Sequence, residues 1–159
     1  GEGKNVELVI EAFIELYKRG SKAQITFYGG TEERLEELRN RYDLPPTIHF
    51  KGIVDEVPYH LHQCYLSASY TELFANACIE ALSQGLLALL SDVEIAHRFY
   101  ANQSNAINLF KTKSELIQKI EEMEQPDFCL LNEKNLALAS RYSLEKVAQI
   151  YRELLDRNF

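Results

Sequence analysis

The sequence predicts an α/β fold, a doubly wound parallel sheet with helices on both faces, and three observations lead to it. Helical and strand patterns alternate along the 159 residues, which is typical of parallel strands joined by right-handed crossovers. Leu86–Leu90 is apolar on both faces, as a strand inside a parallel sheet requires. No repeat, low-complexity tract or linker interrupts the chain, so we expect residues 1–159 to form a single domain.

The elements of the first half follow from apolar spacing and from residues that start or stop helices. Apolar residues between Val6 and Tyr17 recur at helical spacing, and Gly20 ends that helix. Thr31 is predicted to cap a charged helix that runs to about Tyr42. Strands are predicted at Ala23–Tyr28, Thr47–Phe50 and Cys64–Ala68, with a short helix at Val57–Gln63.

The second half continues the same alternation of helices and strands. A helix is predicted over Phe74–Gln84, with Gly85 stopping it before the apolar strand. Ser114 is the predicted cap of a later helix. The remaining predicted elements are a short helix at Glu94–Tyr100, an edge strand at Asn105–Leu109 and one or two helices within Asn132–Leu155.

Charge and cysteine usage limit the partners and the compartment. The formal net charge is −7, which argues against nucleic acid or an anionic membrane as the main partner. Any peripheral membrane contact is expected only through polypeptide outside this chain. Cys64, Cys78 and Cys129 show no CxxC spacing, and free thiols favour a reducing, cytoplasmic location. No apolar run approaches the roughly 20 residues of a membrane-spanning helix.

The loops that follow the predicted strands are the candidate site. Ligands of doubly wound sheets bind at the carboxyl ends of the strands. The start of the helix near Ala75 offers free N–H groups that suit a phosphate, and Glu72 and Glu80 flank it. A carboxylate can hold a ribose diol, but spacing alone favours Glu80 as a solvated helix residue and Glu72 as a partner of the helix dipole.

The segment from Ser69 to Leu82 resembles the Glu-x7-Glu motif of family 4 glycosyltransferases, which have the GT-B fold. Glu72, Phe74, Asn76, Glu80, Ala81 and Leu82 match that motif. Further matches occur in the family's order. They are Lys4-Asn5, Tyr28-Gly29-Gly30, Ile48 to Gly52, Gly85, Ser91-Asp92, Tyr142-Ser143-Leu144 and Tyr151. The resemblance covers nearly the whole chain and identifies it as the nucleotide-sugar-binding, C-terminal half of such an enzyme.

The resemblance implies a role for each matching residue. Lys4 would contact the diphosphate of the donor, and Glu80 would hold the ribose hydroxyls. Glu72 would be the catalytic residue, facing the sugar where positive charge develops. The other substrate-binding positions implied are the Gly29-Gly30 turn, the backbone of Ile53-Val54 for the base, and the amides of Phe74 and Ala75 for the phosphate or sugar. No metal and no cofactor is implied, because lysine, arginine and the helix end would neutralise the diphosphate.

The implied parent enzyme is a retaining glycosyltransferase of hexosyltransferase type that acts in glycan or cell-surface polysaccharide synthesis. Its N-terminal acceptor domain is absent from this chain, so we expect the isolated domain to be inactive. Two departures from the family pattern, Leu73 in place of glycine and Ala75, favour a second hypothesis. In that hypothesis the domain is catalytically weakened and serves as a partner-binding or regulatory module.

Other readings are less favoured by the residues. A dinucleotide-dependent enzyme lacks support because no GxGxxG follows a strand, and a phospho-receiver domain because no acidic pair follows an early strand. His60 and His62 are two residues apart and point in different directions, so a metal site is not expected there. His97 lies near the candidate site, where it would either contact a ligand or be structural, and Asp92 would cap a helix or contact a ligand.

Overall fold

The computed structural model describes residues 2–71, 76–92, 97–98, 101–102, 107–128, 149, 152–153 and 156. The predicted helices at 94–100 and 132–155 fall almost entirely outside this set. The described helices are α1 (Val6–Lys18), α2 (Glu32–Arg41), α3 (Asn76–Ser83) and α4 (Lys113–Met123), and the described strands are β1 (Ile25–Tyr28), β2 (Ile48–Gly52), β3 (Cys64–Ser67), β4 (Leu87–Ser91) and β5 (Ile107–Phe110).

All strand pairs among the described residues are parallel, which confirms the predicted α/β class. β1 pairs with β2 in one sheet, and β4 pairs with both β3 and β5 in another. Helix α2 lies in the connection from β1 to β2 and α3 in the connection from β3 to β4, as parallel pairing demands. The sequence predicts one continuous sheet, whereas the described strands form a two-stranded and a three-stranded sheet, with β1 and β3 each at the end of its sheet.

Helices cover both faces of the strands, as predicted. The larger core cluster joins α1 and α4 to strand residues that include Ile48 of β2, Leu89 of β4 and Phe110 of β5. A second cluster joins Cys78 and Leu82 of α3 to β4 and β5. All five residues of β4 are buried, because this strand contributes to both clusters. Full burial of one leucine contributes roughly 1.5–3 kcal/mol, so β4 anchors the three-stranded sheet.

The helix caps show where local sequence signals succeed and fail. Thr31 accepts a hydrogen bond from the Arg34 amide at 3.4 Å, which confirms the predicted start of α2. The prediction of Ser114 as the cap of α4 is wrong, because Thr112 accepts from the Glu115 amide at 3.1 Å and the helix begins one residue before Ser114.

Two short predicted elements have different outcomes. The short helix predicted at Val57–Gln63 is a single 3₁₀ turn, Tyr59–Leu61, followed directly by β3. The turn begins after Pro58 and ends at His62, whose backbone is extended. The three residues between them are too few for an α-helix. The weak edge strand predicted near Asn105 is described from Ile107 and does lie at the end of its sheet.

Candidate functional site

The carboxyl ends of the parallel strands carry most of the loops that the sequence selects. The Gly29-Gly30 turn follows β1, Ile53-Val54 follows β2, Ser69 to Thr71 follow β3, and Asp92 follows β4. In parallel sheets these ends lie on the same side, which is where ligands of doubly wound folds bind. Within each sheet, the topology therefore places the loops after β1 and β2 at one edge and the loops after β3 and β4 at one edge.

Lys4 lies next to the loop after β3, in the turn that precedes α1. The Tyr70 amide donates a hydrogen bond to the Gly3 carbonyl at 2.8 Å, so the turn lies against the loop after β3. A Cβ on Gly3 would lie 2.8 Å from the Thr71 Oγ1, a distance that favours glycine. Asn5 then adopts a left-handed conformation with φ 50°, which asparagine tolerates, and α1 begins. The side chain of Lys4 is exposed at this position.

The Gly29-Gly30 turn depends on backbone conformations that favour glycine. Both residues have positive φ, 90° and 87°, and the Gly29 amide donates to the Gly52 carbonyl at 2.5 Å. A Cβ on Gly30 would lie 3.4 Å from a methyl group of Leu35, whereas a Cβ on Gly29 would meet open space. The turn therefore leaves room for a ligand beside Gly29.

Ile53 and Val54 follow Gly52 and lie next to this turn. The side chain of Ile53 is 82% exposed and that of Val54 36% exposed. Exposed apolar residues are ordinary when single, but two adjacent to a glycine turn provide a small apolar surface. The structure thus brings Ile53 and Val54 close to the Gly29 turn.

A groove of about 400 Å³ lies between β1 and β3, and we call it the inter-sheet groove. Lys4, Tyr59 and Ala77 line it together with residues of both strands. Glu80 is connected to it, because the Tyr59 hydroxyl donates to the Glu80 Oε2 at 3.1 Å and lies 3.4 Å from the Ala77 carbonyl. Burial, and then the neighbouring Glu80, raises the pKa of Tyr59 to about 12, so Tyr59 remains a donor at neutral pH.

Three of the residues selected from the sequence lie outside the described residues. They are Glu72, Phe74 and Ala75. The residues on either side are described: Thr71 lies against Gly3, and Asn76 begins α3. The roles assigned to these three residues therefore stay predictions.

Hydroxyl groups support the base of the loop after β3. The Ser67 Oγ donates to the Ser69 Oγ at 3.1 Å, and the Ser91 Oγ donates to the Ser69 carbonyl at 2.6 Å. The His97 Nδ1 lies 2.9 Å from the Ser91 carbonyl. His97 is fully buried, so its position supports a structural role rather than ligand contact.

Asp92 is held by two basic residues. Its carboxylate accepts from the Arg98 Nε at 2.7 Å, and the Lys111 Nζ lies 3.4 Å from its Oδ2. These contacts hold the pKa of Asp92 below its ordinary value, with the Arg98 hydrogen bond as the largest cause. The Asp92 carboxylate is thus engaged by Arg98 and Lys111 instead of being free for a ligand.

Sequence reasoning missed Tyr59 and the serine network. Ser67-x-Ser69 at the end of an apolar strand is a usable signal, because hydroxyls in that position need buried partners. Tyr59 gave no signal, since it lies in a 3₁₀ turn and its partner is 21 residues further along the chain. His62, considered only as a metal ligand, lies 2.8 Å from the Tyr28 hydroxyl through its Nε2.

Two other features, a metal-binding cluster and a membrane-spanning helix, are absent from the described ranges. No group of three or more His, Cys, Asp or Glu side chains there could hold a metal ion. In the same ranges, every helix is too short or too polar to cross a membrane.

Comparison with known proteins identifies the family. The sequence model described as glycosyl transferases group 1 matches residues 1–139. The chain belongs to this family. Its resemblance to family 4 (group 1) glycosyltransferases is thereby confirmed, and the similar solved structures are glycosyltransferases of GT-B fold.

The chain is similar to three longer proteins and spans less than half the length of each. It is 23% identical over 160 residues to the GtfA subunit of UDP-N-acetylglucosamine–peptide N-acetylglucosaminyltransferase from Streptococcus pneumoniae serotype 4, covering 97% of this chain and 32% of that protein. The crystal structure of the GtfA/B complex superposes with a TM-score of 0.75 at 19% identity, covering 99% of this chain and 34% of that one. Anabaena Alr3699/HepE in complex with UDP-glucose gives a TM-score of 0.71 at 16% identity, covering 99% and 45%.

Proposed function

We propose that this domain binds a nucleoside diphosphate sugar at the carboxyl ends of its strands, and that the full-length enzyme transfers the sugar with retention. The observation that carries the proposal is that Lys4 and Tyr59, whose hydroxyl holds Glu80, both line the inter-sheet groove. A cation and a positioned carboxylate are the two groups needed for a diphosphate and a ribose diol. Membership of the glycosyltransferase family supports the transferase chemistry.

Lys4 would bind the diphosphate of the donor. Its turn is attached to the loop after β3 through the Gly3–Tyr70 hydrogen bond, so Lys4 lies close to the loop that precedes Glu72 in the chain. During transfer the bond between the anomeric carbon and the diphosphate oxygen breaks, and its electron pair stays with the diphosphate. A fixed cation stabilises that developing charge more than the ground state. We propose that Lys4 and backbone amides, without a metal ion or other cofactor, supply this stabilisation.

Glu80 would accept hydrogen bonds from the ribose hydroxyls. Its side chain is exposed and is oriented from one side by Tyr59, which leaves its remaining acceptor capacity for a ligand. A carboxylate fixed before binding loses less conformational entropy when the diol arrives. Tyr59 is therefore a positioning residue for Glu80.

The base would lie beside the glycine turn, against Ile53 and Val54. The open space beside Gly29 and the exposed apolar side chains of these two residues fit the flat, partly apolar face of a nucleobase. A uridine nucleotide is favoured, because one similar protein is a subunit of a UDP-N-acetylglucosamine–peptide N-acetylglucosaminyltransferase and another was crystallised in complex with UDP-glucose.

We retain for Glu72 the catalytic role that the resemblance implies, and for Phe74 and Ala75 the role of amide donors. Leu73 stands where family members have glycine, and leucine has less backbone freedom than glycine. No contact in the described part of the chain favours a purely regulatory module, and transferase function is the reading we adopt.

The acceptor would be bound by polypeptide outside this chain. The chain spans 32% of the GtfA subunit and 45% of Alr3699/HepE, so these relatives contain much additional polypeptide. We propose that an N-terminal acceptor domain completes the cleft, excludes water and makes transfer possible. The isolated domain would then bind donor without turning it over. The cytoplasmic location inferred from the cysteines is part of the same proposal.

Titration calorimetry with UDP, GDP, UDP-glucose and UDP-N-acetylglucosamine tests the proposal. The double variant Lys4→Ala/Glu80→Ala should abolish measurable binding of the nucleotide that binds the wild-type chain. A charge-matched control is Lys22→Ala/Glu36→Ala, which removes one exposed lysine and one exposed glutamate elsewhere on the surface. Binding that survives the first double variant, or no binding of any of the four ligands, would contradict the proposal.

A further inference from the structure

Four buried polar side chains lie together at the carboxyl ends of β3 and β4. In the described part of the chain, the buried polar residues are Ser67, Ser69, Ser91 and His97, with exposures of 8%, 1%, 5% and 0%. Ser67 ends β3, Ser91 ends β4, and Ser69 lies two residues beyond β3. Apolar side chains would fill this space without any need for hydrogen-bond partners. A polar cluster confined to the end of the sheet where ligands bind therefore indicates a role in the site.

The hydrogen bonds of this cluster run in one direction. The Ser91 Oγ lies 2.6 Å from the Ser69 carbonyl oxygen, which cannot donate, so the Ser91 hydroxyl is the donor. The His97 Nδ1 lies 3.1 Å from this hydroxyl and 2.9 Å from the Ser91 carbonyl oxygen. Because the hydroxyl proton is directed to Ser69 and a carbonyl only accepts, Nδ1 carries a proton and donates to the Ser91 carbonyl. The chain of donors therefore leads from His97 through Ser91 to Ser69.

The segment that carries Ser91 is itself held by its neighbours. Arg98, which follows His97 in the chain, donates to the Asp92 carbonyl at 2.6 Å. The Asp92 amide donates to the Phe110 carbonyl at 2.7 Å, beside β5. The carbonyls of Ser91 and Asp92 are thus both engaged by two consecutive residues, His97 and Arg98. Ser91 can therefore serve as a fixed point for the loop after β3.

The peptide group between Ser69 and Tyr70 is held from both sides. Its carbonyl oxygen accepts from the Ser91 hydroxyl at 2.6 Å, and its N–H donates to the Gly3 carbonyl at 2.8 Å. A peptide group is planar, so the directions of its carbonyl and its N–H change together. Fixing the carbonyl on Ser91 therefore directs the N–H to Gly3, and Lys4 follows Gly3 in the chain. The network thus runs from the buried histidine to the turn that carries Lys4.

We propose that His97 and Ser91 are positioning residues of the donor site. They fix the peptide group after Ser69, and through it the turn that carries Lys4. The inference rests on the proposed function, in which Lys4 binds the diphosphate. Ser69 also stands three residues ahead of Glu72, so the point from which that segment starts is fixed as well. His97 is fully buried and acts through Ser91 without contact with the donor. A turn that is ordered before binding loses less conformational entropy when the diphosphate arrives.

Hydrogen exchange of the Tyr70 amide tests the network without a ligand. An asparagine amide nitrogen can take the position of the histidine Nδ1, whereas a glutamine amide nitrogen takes that of Nε2. His97→Asn can therefore still donate to the Ser91 carbonyl, and Tyr70 should exchange within about twofold of the wild-type rate. His97→Gln and Ser91→Ala should each accelerate that exchange at least about fivefold. A space-filling role predicts the reverse order for the two His97 variants, because glutamine is closer to histidine in volume.

The Leu87 amide is the internal control for a general loss of stability. It donates to the Gln63 carbonyl at the amino ends of β3 and β4, the opposite end from Ser91. In His97→Gln and Ser91→Ala, the exchange of Tyr70 should accelerate more than that of Leu87. Equal acceleration of both amides, or faster Tyr70 exchange in His97→Asn than in His97→Gln, would overturn the proposal.

Titration calorimetry with UDP and GDP measures the consequence for the donor site. His97→Gln and Ser91→Ala should weaken binding of the nucleotide that binds the wild-type chain by about 2–10-fold, and His97→Asn should restore it. His49→Gln, at a partly exposed histidine of β2, is the control and should bind like the wild type. A wild-type chain that binds neither nucleotide would overturn the proposed function and the donor role of His97 together, and the exchange comparison then decides separately whether the network exists. Wild-type binding that His97→Gln leaves unweakened would overturn the positioning role alone.

Discussion

The hydroxyl of Tyr59 donates a hydrogen bond to the Glu80 carboxylate at 3.1 Å, and this contact links the turn before β3 to helix α3. Glu80 is exposed and would otherwise sample several rotamers. The contact restricts it to an orientation near the inter-sheet groove, where Lys4 also lies. The proposed ribose and diphosphate contacts thus come from separate elements that tertiary packing brings together.

Replacing Tyr59 by phenylalanine tests this positioning role. Loss of one hydrogen bond of ordinary strength, about 0.5–1.5 kcal/mol, should weaken donor binding roughly 2–10-fold. In the full-length enzyme the change should appear in KM and leave kcat unaltered, because Glu80 is proposed to hold hydroxyls that do not react. Tyr17→Phe, at an exposed tyrosine of α1, is the control and should leave donor binding unchanged. An unaltered KM in Tyr59→Phe would remove Tyr59 from the site.

Part of this arrangement is visible in the sequence, and part is not. The alternation of elements predicts the parallel α/β fold, and the cap at Thr31 follows from a local pattern. The start of α4 could have been read correctly, because Thr112 and Glu115 have the spacing of a capping box that Ser114 lacks. The Tyr59–Glu80 contact and the division into two sheets could not be read, because both depend on residues distant in sequence.

The two glycines of the turn after β1 should respond differently to alanine. Both have positive φ, so Gly29→Ala and Gly30→Ala should each cost about 1–2 kcal/mol of the free energy of unfolding. Only Gly29→Ala adds a methyl group to open space beside the proposed site. We expect calorimetry to show lower donor affinity for Gly29→Ala than for Gly30→Ala when both are measured well below their melting temperatures. Equal affinities would place the ligand elsewhere.

His62 should make stability depend on pH. Burial, with a smaller contribution from His60, lowers the pKa of His62, so folding favours its neutral form beside the Tyr28 hydroxyl. The stabilisation from neutral His62 is therefore fully present above the unfolded pKa of about 6.5 and is lost as the pH falls through the lower folded pKa. Urea unfolding at pH 7.5 and pH 5 should show the loss. His62→Gln should reduce it and His49→Gln should preserve it; an unchanged dependence in His62→Gln would contradict the assignment.

The isolated chain should bind donor without transferring sugar. Its fold provides the nucleotide side of the proposed cleft, and the GtfA relative is about three times as long. A radiolabelled UDP-sugar incubated with the chain and a panel of hydroxyl acceptors should give no glycosylated product above the level of the Lys4→Ala/Glu80→Ala variant. Product formation by the wild-type chain alone would show that the acceptor site lies within these residues.

Glu80→Gln and Glu72→Gln should change different kinetic parameters of the full-length enzyme. Glu80 is proposed to bind ribose hydroxyls equally in the ground and transition states, so Glu80→Gln should mainly raise the donor KM. A charge-assisted hydrogen bond is worth about 1.5–3 kcal/mol, which corresponds to roughly 10–150-fold. Glu72 is proposed to face the anomeric carbon as positive charge develops, so Glu72→Gln should lower kcat by about 100-fold or more with little change in KM.

The glutamine substitutions keep the shape of each side chain and remove its charge, so steric effects do not account for the difference. Steady-state kinetics over a range of donor concentrations separates the two parameters for each variant. If Glu72→Gln leaves kcat unchanged, Glu72 is only an acid at a helix end, consistent with the restriction that Leu73 imposes on that loop. If Glu80→Gln instead lowers kcat at saturating donor, the carboxylate held by Tyr59 acts on the reacting sugar, and the ribose assignment is wrong.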